Sequence, residues 1–231
     1  MAKWVNWRDI DIDDLVIKDH HRKNLKRWLS GSIVDFPNLL LVGPYGTGKT
    51  TIAKMVKDAF SWNQPRDIDV QSHNLRDLKK DADKNFSSAR GMTLDVLFGN
   101  DTRSLYFYDE FNHIAVKDQN FFHVLLEKGE ERSCAIFATN HLDQTSGGIA
   151  SRCKVIDLVI RNKDQRDDII NQMTAFGQVV LDHFDAKEGV IDKGQLEDLA
   201  VNNVKPHGKV WEHDVRKFVQ WVQDEYENAI D

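Results

Sequence analysis

Gly43-Pro44-Tyr45-Gly46-Thr47-Gly48-Lys49-Thr50 reads G-x-x-x-x-G-K-T, the pattern of a phosphate-binding loop. The flanks fit it. Ahead lies the apolar run Leu39-Leu40-Leu41-Val42, as expected of a buried parallel strand. Behind, Ile52, Met55, Val56 and Ala59 recur at helical spacing. Glycines let the backbone turn sharply and approach a polyphosphate with no side chain in the way. The loop N–H groups and the helix N-terminus then present partial positive charge to the anion. This reading makes Gly43, Pro44, Tyr45, Gly46, Thr47, Gly48, Lys49, Thr50 and Thr51 candidate ATP-binding residues. Lys49 would reach the β- and γ-phosphates, and the Thr50 hydroxyl would sit on Mg²⁺.

Some sixty residues on, Leu105-Tyr106-Phe107-Tyr108-Asp109-Glu110 is an apolar run ending in two carboxylates. In an open α/β sheet, ligands gather at the carboxyl ends of strands. Asp109 is therefore a second candidate Mg²⁺ ligand. Glu110 is the candidate base that orients and polarises an attacking water.

The periodicity predicts a helix over 20–28, strands over 38–42, about 68–71, 105–108, 135–139 and 154–159, and helices between them. That alternation implies an α/β fold, a parallel sheet with helices on both faces. After Arg161 the pattern turns to helices only. Ile169, Ile170, Met173 and Phe176 mark one; Leu196, Leu199 and Ala200 another; Trp211, Val215, Phe218, Val222 and Tyr226 a third. The expected organisation is a nucleotide-binding domain over 1–160 and a small all-helical lid over 161–231.

The 231 residues are 41% hydrophobic and 29% charged, with a net charge of −6, which describes an ordinary globular chain. Nothing approaches a membrane span or a signal-peptide core. Two cysteines, Cys134 and Cys153, make neither a disulfide framework nor a metal cluster and fit a reducing cytoplasm. The acidic balance excludes a uniformly basic nucleic-acid binder and leaves local basic patches open.

Two more motifs narrow the class. Ala135-Ile136-Phe137-Ala138-Thr139-Asn140 is an apolar strand ending in an amide, and eleven residues later comes Ser151-Arg152-Cys153. With these, the chain resembles the AAA+ ATPases, and among them the clamp-loader ATPase subunits: replication factor C small subunits and the ATPase subunit of tailed-phage clamp loaders. The resemblance runs from about Asp14 to Val222. It implies an ATPase that uses ATP and Mg²⁺ and works in a ring or spiral with other clamp-loader subunits, a sliding clamp and primer–template DNA, in the cytoplasm (a host's, if phage-encoded). It implies that Asn140 touches the γ-phosphate or the lytic water. Arg152 would be an arginine finger acting on a neighbouring subunit's ATP. Arg216, on the lid, would face the γ-phosphate of its own subunit. Val16 and Ile17 would border the adenine, and Gln119 would hold the catalytic glutamate. The alternative within the class is a helicase loader or initiator; outside it, a nucleotide-dependent scaffold, against which intact Lys49, Asp109, Glu110 and Arg152 speak.

The resemblance also implies a DNA-tracking surface at Arg76, Lys79, Lys80, Lys84 and Arg90, where five basic residues meet Asp77, Asp81 and Asp83. A solvated face explains the same composition. Met92, Leu94, Leu97 and Phe98 are candidate anchors on the sliding clamp, or core residues. The chain departs from the pattern in three places. Gln71-Ser72-His73-Asn74 replaces the usual Asn-x-Ser-Asp, and Trp4, Trp7 and Arg8 stand where a basic Tyr-Arg-Pro is usual. A third, collar domain has no counterpart before Asp231, which leaves open a shortened chain or a different assembly.

Overall fold

A computed structural model describes residues 10–62, 65–70, 77–80, 103–129, 133–183, 186 and 189–230. Leu39–Val42 forms β1, with all four side chains buried. It pairs in parallel with β4 (Ser133–Thr139) on one side and β5 (Lys154–Asp157) on the other. β3 (Ser104–Asp109) pairs with β4, and β2 (Arg66–Asp69) with β3, giving the order β2-β3-β4-β1-β5, all parallel. β2 therefore starts and ends two residues earlier than the spacing predicts. Its side chains are mostly exposed, so its apolar pattern is weak.

α1 (Asp19–Leu29) precedes β1, and α2 (Lys49–Ala59) follows the glycine loop. α3 (Val116–Gly129) joins β3 to β4, and α4 (Gly147–Arg152) joins β4 to β5. An aromatic group anchors the sheet: Tyr108 stacks on Phe137 with ring centroids 5.2 Å apart, and Phe111 lies 4.6 Å from Phe137. Phe122 of α3 meets Tyr108 edge-on at 5.3 Å. Such pairs add about 0.5–1.5 kcal/mol each beyond their buried area. Tyr108 and Phe111 flank Asp109 and Glu110, so the carboxylates leave the sheet between two fixed rings.

Arg103, 3% exposed, stands just before β3. Its guanidinium donates to the carbonyls of Ile33 (3.1 Å), Val34 (2.9 Å), Phe36 (2.7 Å) and Ser133 (2.6 Å), tying an irregular segment to the sheet. Arg103→Met strands these acceptors, so stability is expected to fall by about 3–5 kcal/mol, read as a lower urea midpoint.

After β5 come α5 (Lys163–His183), α6 (Lys193–Asn203) and α7 (Val215–Ile230). Their core holds Met173, Phe176, Val180, Leu196, Phe218 and Val222. Asp192 and Gln195 cap α6 reciprocally, a capping box. Asp214 caps α7 by accepting from the Lys217 N–H at 2.9 Å. The expectation of helices alone is corrected here: β6 (Lys205–His207) and β7 (Val210–Glu212) form an antiparallel hairpin. Trp211 belongs to β7, not to the last helix, and its N–H donates to Ile160 O at 2.9 Å. β6 is exposed throughout, so no alternation announces it, and the four-residue step from Trp211 to Val215 mimics a helix.

By contacts the chain forms two compact units. One comprises Leu25–Gly43 and Lys49–Asp157, the sheet unit. The other comprises the chain up to Asn24, Pro44–Gly48 and the chain from Leu158 onward, the helical unit.

Candidate active site

Parallel pairing places the carboxyl ends of β3, β4 and β1 side by side, so Asp109, Asn140 and Gly43 become neighbours although far apart in sequence. The Gly43 N–H donates to Thr139 O at 3.1 Å, carrying the β1–β4 ladder one step into the loop. Gly46 and Gly48 have φ of 76° and 90°, values that favour glycine. A Cβ on Gly46 would also stand 1.9 Å from Asp214 Oδ1. The Gly46 carbonyl accepts from the Val215 N–H at 3.0 Å, and Thr47 Oγ1 donates to Pro44 O at 2.9 Å. Tyr45 is 64% exposed.

α2 opens at Lys49, with Thr50 and half-buried Thr51 in its first turn. Lys49 is buried, and its Nζ donates to Gly43 O (2.7 Å) and Asn140 Oδ1 (2.9 Å). Thr50 Oγ1 donates to Asp109 Oδ2 at 3.1 Å. Asn140 Nδ2 donates to Glu110 Oε2 at 3.4 Å, and its N–H to Asn112 Oδ1 at 3.3 Å. One amide thus bridges the ammonium and the carboxylate. Glu110 is the single non-glycine residue of positive φ among the described residues, at φ 56°, ψ 39°. Such a conformation costs about 1–3 kcal/mol and persists only where packing over-determines it. Here the Glu110 N–H donates to Asp109 Oδ1 and the Glu110 carbonyl accepts from the His113 N–H, both at 3.0 Å.

The donor set suits a Mg²⁺ polyphosphate. Thr50 and Asp109 offer a hydroxyl and a carboxylate oxygen within hydrogen-bond distance of each other, a hard oxygen pair of the kind Mg²⁺ takes beside substrate phosphates. Lys49 supplies a positive charge in a buried setting, at the start of a helix whose first N–H groups are unsatisfied within it.

Arg152 lies in the last turn of α4. Its Nη2 donates to Glu127 of α3, and Nη1 to Gly148 O and Ser151 Oγ, both at 3.1 Å. The hydrogen bond from Arg152 holds the Glu127 carboxyl below the usual carboxylate range, and His123, 3.5 Å away, adds to this. Cys153 is buried with Cys134 in the sheet unit, and burial pushes both thiols up to about 12.

Gln119 corrects an expectation: it is fully buried, and the hydrogen bonds it makes go elsewhere than Glu110. Its Nε2 donates to Ile114 O (2.9 Å) and Gln144 O (2.8 Å), and its Oε1 accepts from the Ser146 N–H at 2.7 Å. Ser146 caps α4, so Gln119 fixes the start of the helix that carries Arg152. Its spacing with buried Phe122 and Leu126 was the signal: an amide on an apolar helical stripe. Glu127 and Asn112 carry no comparable mark.

Val16 is buried in the core of the helical unit, and Ile17 is 2% exposed. Arg216 is exposed in the first turn of α7. Of the basic cluster, Lys79 and Lys80 are described: Lys80 is exposed, and Lys79 pairs with Asp118 at 3.2 Å. Arg76, Lys84, Arg90, Met92, Leu94, Leu97 and Phe98 lie outside the described residues.

His213, between β7 and α7, is 3% exposed, and neither ring nitrogen has a hydrogen-bond partner. Burial, with Lys18 adding, pushes its pKa down to about 4 from 6.5. The unfolded chain therefore takes up this proton first. Stability is full above about pH 6.5 and falls as pH drops toward about 4, by about 3 kcal/mol in all. Urea midpoints at pH 7 and 4.5 should show a smaller loss in His213→Leu than in the wild type.

A family model described as "ATPase family associated with various cellular activities (AAA)" matches residues 39–161. The replication factor C small subunit of Natronomonas pharaonis is 26% identical over 157 residues, 66% of this chain and 46% of that protein. ATPase WRNIP1 of Dictyostelium discoideum is 24% identical over 166 residues, 72% of this chain and 17% of that protein. The chain spans less than half the length of either. The Thermotoga maritima RuvB Holliday junction branch migration motor superposes with a TM-score of 0.62 at 14% identity, covering 95% of this chain and 72% of that one. A point mutant of RuvB gives 0.64 at 13% identity, covering 93% and 69%. These likenesses are of fold. No helix among the described residues is long and apolar enough to cross a membrane.

Proposed function

Because this chain belongs to the ATPase family associated with various cellular activities, we propose that it is an ATP-hydrolysing subunit of a DNA sliding-clamp loader, firing at subunit interfaces as a clamp is opened and closed on primer–template DNA. The observation that carries the hydrolytic part is the Lys49–Asn140–Glu110 relay beside the Thr50–Asp109 pair. The clamp-loader part is supported by the likeness to a replication factor C small subunit together with the Ser151-Arg152-Cys153 motif.

In this reading the loop 43–50 cradles the phosphates, and Lys49 trades its carbonyl partner for phosphate oxygens. Mg²⁺, held by Thr50 and Asp109, would neutralise phosphate charge. Glu110 orients a water and takes its proton as the water oxygen bonds to the γ-phosphorus and the bond to the ADP oxygen breaks. Asn140 holds Glu110 in line. Arg152 offers its planar guanidinium to a neighbour's γ-phosphate, Arg216 faces its own, and Val16 and Ile17 border the base. The division into a nucleotide-binding domain over 1–160 and a lid over 161–231 belongs to the same reading, as do a DNA surface at Arg76, Lys79, Lys80, Lys84 and Arg90 and clamp anchors at Met92, Leu94, Leu97 and Phe98. A second reading, a DNA-dependent motor other than a clamp loader, has the fold likeness to RuvB behind it.

The test is the ATPase rate of the assembled protein with a sliding clamp, primer–template DNA, or both. A clamp loader responds most strongly to both together; a rate indifferent to the clamp favours the second reading. Reversing Lys79, Lys80, Lys84 and Arg90 to Glu should cut the DNA response and leave nucleotide binding intact. Each lost phosphate contact should reduce the salt slope of DNA binding by about one unit. An unchanged slope returns this cluster to a solvated face.

A further inference from the structure

Leu15-Val16-Ile17-Lys18 is buried throughout, at 6, 4, 2 and 8% exposure, yet belongs to no helix or strand. Buried irregular backbone has to find partners for its peptide groups. Arg22, on α1, supplies several: Nη2 donates to Leu15 O (2.6 Å), Ile17 O (3.4 Å) and Gln172 Oε1 (2.8 Å), while Nη1 holds Asp19. Gln172, on α5, accepts the Ile17 N–H at 3.0 Å and anchors its own Nε2 on Asp168 at 3.0 Å. The Lys18 carbonyl accepts from the N–H groups of His21 and Arg22. Val16 is the exception. Among the described residues nothing meets its N–H or its C=O, although its side chain is locked into the core. Buried peptide groups left open in this way call for a ligand.

A donor and an acceptor on one residue form a polar edge. Adenine offers the complement, a ring-nitrogen acceptor beside an amino donor. Guanine offers the reverse pattern, which sets donor against donor and acceptor against acceptor, and such opposition discriminates. We propose that Arg22 and Gln172 are the positioning residues of the base site: by saturating the peptide groups on either side, they hold the Val16 edge open and oriented for adenine and against guanine. This rests on the reading above that Val16 and Ile17 border the base.

The probes are Mg·ATP, Mg·GTP and Mg·tripolyphosphate, the last carrying phosphates and no base, titrated against wild-type protein, Gln172→Leu and the double variant Gln172→Glu with Asp168→Asn. Gln172→Leu should weaken ATP binding about 5- to 10-fold, the worth of one or two hydrogen bonds, and narrow the preference for ATP over GTP. Tripolyphosphate binding should not change. In the assembled protein KM for ATP should rise with kcat unaltered. Gln172→Glu combined with Asp168→Asn keeps an acceptor for Ile17, a partner for Arg22 and a donor–acceptor contact to residue 168, so ATP binding should return. ATP binding by Gln172→Leu equal to the wild type overturns the proposal. So does a parallel loss of ATP and tripolyphosphate, which marks a general structural role, or failure of the Gln172→Glu, Asp168→Asn double variant to restore binding. Wild-type protein that binds tripolyphosphate and ATP equally defeats the underlying assignment of the base site instead.

Discussion

Glu110→Gln should bind ATP at wild-type affinity and hydrolyse it at least about a hundredfold more slowly, the range expected when a positioned base is removed. The amide keeps the shape and the hydrogen bond from Asn140 but cannot take a proton from water. Lys49→Ala differs in kind: it removes the ammonium that faces Gly43 O and Asn140, so binding itself should weaken. Single-turnover hydrolysis and nucleotide titration separate the two. The strained backbone at Glu110 gives a second readout. Glu110→Gly relieves a left-handed conformation and should stabilise the fold by about 1 kcal/mol while abolishing hydrolysis. A glutamine variant that turns over like the wild type in the assembled protein overturns the assignment.

Arg152→Ala should lower kcat of the assembled protein by about 10³-fold, the effect of an arginine finger in phosphoryl transfer. In the single chain Arg152 rests on exposed Glu127. Exposed pairs are worth little, with a median near 0–1 kcal/mol, so the contact is readily exchanged for a phosphate. Arg152→Lys should recover little, because an ammonium lacks the planar fork. Mixing Arg152→Ala with Lys49→Ala subunits tests action in trans. Some interfaces of a mixed ring then combine an intact Lys49 with an intact Arg152, and activity should partly return. Confirmed mixed assembly with no recovery removes Arg152 from the neighbour's site.

The glycine loop, the apolar run before it and the Asp109-Glu110 pair were legible in the sequence because each is local. A tight turn, a buried strand and a strand end all write their needs into consecutive residues. The parallel sheet followed from alternation alone. The spacing of core residues likewise placed α5, α6 and most of α7. The order β2-β3-β4-β1-β5 is non-local, and it is what gathers Gly43, Asp109, Glu110 and Asn140 at one edge. The hairpin over 205–212 escaped because β6 is exposed throughout, while Trp211 of β7 packs on the helical core at a spacing from Val215 that also fits a helix. The partners of Gln119 are equally non-local: it is buried on three backbone groups in two connections, Ile114 after β3 and Gln144 and Ser146 after β4. The left-handed backbone of Glu110 has no sequence mark at all: it forms the turn after β3, where its N–H donates to Asp109 and its carbonyl accepts from the His113 N–H. The same holds for Arg22 and Gln172, 150 residues apart, which meet only because α5 is packed where the Leu15–Lys18 segment needs partners. Residue types that serve a nearby turn or strand end are set by the chain itself; residues that serve another segment's unmet polar groups are set by the fold that brings the two together.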